Sequence, residues 1–112
     1  MINKPLGPEE AEHFARHLRV LADPARLRLL TLVASKENRE ARVRDVTAAL
    51  GLAQPTVSHH IGVLVSAGLL EKRRRGRTVY YGAVADPFEW LRAGLPEPEM
   101  TTAASSKRSS DQ

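Results

Sequence analysis

Cysteine is absent from the 112 residues, which rules out a disulfide framework, a thiolate metal site, a thiol nucleophile and a thiol redox switch. Long apolar runs are missing too. No stretch approaches the roughly 18 uninterrupted apolar residues of a membrane span, and "MINKPLGPEEAEHF" has neither the charged start nor the apolar core of a signal peptide. A soluble cytoplasmic protein with no membrane partner is expected. The chain shows no acid/base pair, phosphate-binding glycine loop or nucleophile constellation, so an enzyme is not the expected class. Internal repeats are absent as well. At this length one domain with a modest core is expected, with self-association a natural source of further stability.

Negative charge is scarce where positive charge collects. The net charge is +4, but residues 41–82 hold seven Lys/Arg against two Asp/Glu, whereas 1–40 hold seven against six and 83–112 three against five. A basic middle third points to a polyanionic partner, and without a nearby apolar anchor that partner is a nucleic acid rather than a membrane surface.

Apolar spacing places the elements. A first helix is expected from Pro8, a favourable N1 residue followed by Glu9, Glu10 and Glu12, with Ala11, Phe14, Leu18 and Leu21 on one face. Asp23 caps a second helix with Pro24 at N1 and a stripe of Leu27, Leu30 and Val33/Ala34. "KENREAR" reads as a polar turn. Val43, Val46, Ala49 and Leu50 then mark a short helix stopped by Gly51, and Pro55 opens another with Val57, Ile61, Leu64 and Val65 inward. Two short helices joined by a tight glycine turn are a helix-turn-helix. Gly68 ends the second, and "LLEKRRRGRTVYYGAV" reads as two strands around a turn at Arg75-Gly76, with five Lys/Arg in residues 71–77. Asp86-Pro87 starts a last short helix with Phe88, Leu91 and Leu95 on one side. The fold class expected is mainly α (α+β): a winged helix-turn-helix of about five helices with a two-stranded β-hairpin wing. Its domain covers 8–95, and 96–112 is read as a flexible tail.

The stretch "QPTVSHHIGVL" decides among chemistries. With Val57, Ile61 and Leu64 inward, Gln54, Thr56, Ser58 and His59 project from the other side near the helix start. Gln pairs bidentately with adenine, Ser and Thr reach either partner, and a helix start favours phosphate. Arg74, Arg75 and Arg77 on the wing would supply phosphate or minor-groove contacts. His59 and His60 are neighbours on a helix and so point about 100° apart, a poor arrangement for holding one ion together. Ser58 beside His59 has no orienting carboxylate near it in sequence, which argues against catalysis.

The order of "LADPARLRLL", a short helix, "QPTVSHHIGVL" and "GLLEKRRRGRTVYY" resembles the ArsR/SmtB family of bacterial winged-helix transcriptional regulators, over about residues 10–95. The resemblance implies double-stranded operator DNA as partner and a homodimer paired through the first and last helices. Phe14, Leu18, Leu21, Phe88, Leu91 and Leu95 would then divide between core and dimer contact. It also implies two half-sites roughly 34 Å apart and release of DNA when an inducer, commonly a metal ion, binds.

Departures from the family pattern narrow the inducer. "EARVRDV" puts Arg42 and Arg44 where thiol-sensing members carry cysteines, which excludes soft-metal and persulfide sensing through that site. No histidine follows residue 60, so the last-helix zinc site is absent from the pattern. Ala53 replaces the usual serine cap of the recognition helix, a loss of about 1 kcal/mol. His13 and His17, spaced i, i+4 with Glu9 one turn earlier, are the metal candidates; imidazole with carboxylate suits nickel first, then zinc or cobalt. The alternative function is a winged-helix interaction module or co-regulator acting with a second regulatory protein, without metal sensing.

Overall fold

A computed structural model describes residues 5–84. Its element order is α1 (Pro8–Leu21), α2 (Pro24–Ser35), β1 (Glu40–Ala41), α3 (Val43–Leu50), α4 (Gln54–Ser66), β2 (Leu70–Arg75) and β3 (Thr78–Ala83). The four helices and the hairpin fall where apolar spacing and capping residues put them. The expected fifth helix, with Phe88, Leu91 and Leu95, and the expected tail from residue 96 lie outside the described residues. Among the described residues no helix is long and apolar enough to cross a membrane.

Capping explains the helix boundaries. Asp23 Oδ1 accepts from the amides of Ala25 (2.8 Å) and Arg26 (3.2 Å), satisfying two donors that the helix itself leaves open. Those bonds, with the Arg26 amide the largest cause, hold the Asp23 carboxyl below its ordinary range. Gly51 ends α3 at φ 70°, a left-handed conformation that costs glycine little, and three residues later α4 begins. Ala53 caps α4 with no side-chain bond, as its chemistry requires. Gln54 is already helical, one residue ahead of the expected start.

The core is built from Leu21, Leu29, Leu30, Val33, Val46, Leu50, Val57, Ile61, Leu64, Leu69 and Leu70. Several sequence expectations are corrected here. On α2 the buried stripe runs through Leu29, Leu30 and Val33, while Leu27 is 37 % exposed. "RLRLL" offers an apolar residue on two faces, and packing against α3, α4 and β3 selects the Leu29 side. Ala11 and Ala49 are exposed rather than inward, and Val65 is only half-buried.

The wing is three-stranded, not two-stranded. β1, read from sequence as part of a polar turn, pairs antiparallel with β3 through Glu40 opposite Gly82 and Ala41 opposite Tyr81, giving the order β1-β3-β2. Two residues are too few to signal a strand by alternation; pairing across about 40 residues creates it. Arg39 precedes it in the left-handed region, φ 55°, and its carbonyl accepts a bond from the Ala83 amide (2.8 Å), which turns the chain onto the edge of β3. At the other end Arg75 pairs with Thr78, so the turn is Gly76-Arg77, one residue later than expected. Gly76 has φ 62° and Arg77 does not share the sign, the pattern of a type II′ hairpin turn.

Candidate nucleic-acid interface

Helix α4 separates its two sides cleanly. Val57 and Leu64 are fully buried and Ile61 nearly so, which anchors the helix, while Gln54, Thr56, Ser58 and His59 are all exposed. At about 100° per residue, His59, Gly62 and Ser66 point most directly away from the buried seam, with Thr56 and Ser58 flanking them. The four expected contact residues therefore lie together on one open surface at the amino-terminal half of the helix.

Two histidine contacts fix the orientation of α4. His60 Nδ1 lies 3.2 Å from Arg26 Nη1. A guanidinium only donates, so Nδ1 accepts and the ring proton sits on Nε2. The same arginine donates Nε to the Val20 carbonyl at 2.6 Å, tying the end of α1 to α2 and α4. At the far end of α4, His17 Nε2 donates to the Ala67 carbonyl at 3.1 Å, satisfying a helix-end acceptor. His60 is thus a scaffold contact, as its place beside His59 suggested.

The hairpin presents two unlike faces, because successive strand residues point to opposite sides. Leu70, Lys72 and Arg74 share a side with Val79, Tyr81 and Ala83. This side meets α4: a groove of about 320 Å³ between helix and hairpin is lined by Ser58, Gly62, Ser66, Lys72 and Tyr81 among others. Lys72 and Arg74 have no ion-pair partner among the described residues, and neither has Arg77 at the turn. The opposite side carries Glu71, Arg73, Arg75, Tyr80 and Glu40. There Arg73 bonds Glu71 Oε2 at 2.8 Å and Glu40 Oε1 at 3.2 Å. Arg75 holds both oxygens of Glu40 and stacks over the Tyr80 ring, 4.1 Å from its centre.

Arg74 and Arg77 stand as expected, open to a partner. Arg75 does not, since its guanidinium is engaged by Glu40; its place on the strand, two residues from Arg73, puts it on the paired side. Lys72 and Gly62 were passed over in the sequence. The alternation Lys72/Arg74 and the spacing Ser58, Gly62, Ser66 were the signals available. A Cβ at Gly62 would meet nothing within 4 Å, so packing does not require glycine there.

The metal candidates do not fit as a set. His13 and His17 approach to 4.4 Å between ring centres, but His17 is buried (8 % exposed) and its Nε2 carries a proton for Ala67. Glu9 is exposed, and among the described residues no three His, Asp or Glu side chains group as ligands. Of the expected dimer residues on α1, Leu21 belongs to the protomer's own core, Phe14 is half-buried and Leu18 is 41 % exposed. Leu21 is therefore removed from that surface, because α1 packs it against α2.

A family profile described as bacterial regulatory protein, arsR family, matches residues 23–72. The chain is 40% identical over 73 residues to a transcriptional repressor SmtB homolog of Synechocystis sp., a match covering 65% of this chain and 53% of that protein. It thus spans about half the length of such curated relatives. Among solved structures, NolR from Sinorhizobium fredii is 33% identical with a TM-score of 0.63, over 80% of this chain and 91% of that one. The homodimeric winged helix-turn-helix DNA-binding domain of Mb0332 from Mycobacterium bovis, a possible ArsR-family regulator, is 29% identical with a TM-score of 0.60, over 80% and 82%.

Proposed function

Because the chain belongs to the arsR family of bacterial regulatory proteins, we propose that it is a homodimeric, sequence-specific regulator of transcription that binds double-stranded operator DNA. One observation carries the reading: the exposed polar residues of α4 and the unpaired cations Lys72 and Arg74 border the same groove. In this reading α4 enters the major groove, Gln54, Thr56, Ser58 and His59 meet base edges, and Lys72, Arg74 and Arg77 meet phosphates. The function is binding, with no bond made or broken. Dimer contact falls to Leu18 and Phe14 of α1 together with the expected last helix, as the homodimeric relative suggests.

A response to nickel, zinc or cobalt is not part of this reading, since His17 would have to surrender its bond to Ala67 or coordinate through Nδ1 alone. Titration calorimetry of nickel and zinc into wild type and His13→Ala tests that choice: both proteins are expected to bind alike. A second regulatory protein is not invoked either. The main test is fluorescence anisotropy on duplex DNA across a salt series. Affinity should fall steeply with salt, by about 0.9 in log-log slope per phosphate contacted. Binding insensitive to salt would favour a protein-interaction module instead.

A further inference from the structure

Glu40 is the acidic centre of the hairpin's outer side. It lies on β1 opposite Gly82 of β3, and β3 in turn carries β2, with Arg73 and Arg75, on its far edge. Although it leaves a polar loop, its side chain is only 7 % exposed, because both arginines cover it. Gly82 makes this possible. A Cβ there would fall inside the Arg73 guanidinium, so glycine lets that group lie flat across the middle strand, with Glu71 on one side and Glu40 on the other.

We infer that Glu40 is an internal substitute for a DNA phosphate: it withholds Arg73 and Arg75 from the nucleic acid and so limits how much of the wing's charge reaches DNA. This rests on the DNA-binding reading above. A carboxylate offers a guanidinium the same two-pronged acceptor as a phosphate, so both arginines are satisfied before DNA arrives. Moving them to DNA would leave a nearly buried carboxylate without a partner, which is strongly unfavourable. Phosphate contacts carry no sequence information, so holding two of them back lowers non-specific affinity while the base contacts of α4 are kept. Glu40 is thereby a specificity-determining residue that never touches the operator.

The test is anisotropy on a random-sequence duplex, with folding followed by circular dichroism. Glu40→Gln keeps the shape and removes the charge; the log-log salt slope should steepen by about one to two, at about 0.9 for each further phosphate neutralised. In the wild-type background Arg74→Ala should flatten the slope by about 0.9, whereas Arg75→Ala should leave it in place. An unchanged slope for folded Glu40→Gln, or equal flattening by Arg75→Ala and Arg74→Ala, overturns the inference. Should Glu40→Gln not fold, the arginine pair decides, since Arg73 still covers Glu40 in Arg75→Ala. Wild type lacking any salt-dependent duplex binding would instead overturn the DNA reading, and this inference with it.

Discussion

The two sides of the hairpin carry the same kind of residue in different circumstances. Arg73 and Arg75 face Glu40, Glu71 and Tyr80 and are held in ion pairs. Lys72 and Arg74, each one residue away, face α4 and its groove with no such partner among the described residues. Four consecutive cations thus divide into an inner pair open to a polyanion and an outer pair already neutralised. A count of basic residues overstates the charge that a wing can offer to DNA, because strand alternation divides the count and tertiary acids cancel part of it.

The most drastic way to break this comparison is to remove the seat of α4, against which the inner side works. Leu64 is fully buried, and Leu64→Ala should cost about 2–5 kcal/mol, read as a lower urea midpoint, with DNA binding lost alongside. More selectively, Lys72→Ala with Arg74→Ala should flatten the salt dependence of DNA binding by about 1.8. That is about a tenfold change in affinity relative to wild type across a roughly fourfold salt range. A smaller effect should be confined to the outer side. Hydrogen bonds first from Arg75 and then from Arg73 hold the Glu40 carboxyl below its ordinary range. Its folded value is below its unfolded one, so the stabilisation is complete above the ordinary carboxylate range and is lost as pH falls through the folded value. Melting curves of wild type and Glu40→Gln should therefore differ at neutral pH and converge in acid.

Two quieter substitutions sharpen the contrast. Ala53→Ser supplies the missing cap of α4 and should raise stability by about 1 kcal/mol in thermal melts. Gly62→Ala, on the open side of α4, should also stabilise, by up to about 1 kcal/mol. Gly82→Ala should not, since its Cβ must displace Arg73 from between Glu40 and Glu71; a gain at Gly82 equal to that at Gly62 would contradict the seat described here.

Local chemistry made much of this molecule readable in advance. Asp23 and Pro24 start α2, Gly51 stops α3, and the spacing of Val57, Ile61 and Leu64 fixes which side of α4 is left to Gln54, Thr56, Ser58 and His59, since each depends on neighbours within one or two turns. Leu27 against Leu29 was not readable, because both lie in an apolar run and only the packed neighbours choose between them. The metal reading of His13 and His17 meets a related obstacle. Correct i, i+4 spacing cannot reveal that a carbonyl 50 residues away claims the His17 proton.

By itself, then, the amino-acid order determined the helices, the hairpin and the polar surface of α4, because helix caps, turn glycines and apolar periods are short-range interactions. Only the tertiary structure decided that Glu40 joins the sheet, that Arg73 and Arg75 are neutralised while Lys72 and Arg74 are not, and that two histidines hold α4 in place. Those outcomes are long-range pairings between groups 33 to 50 residues apart, and no local pattern encodes which partner the folded chain brings near.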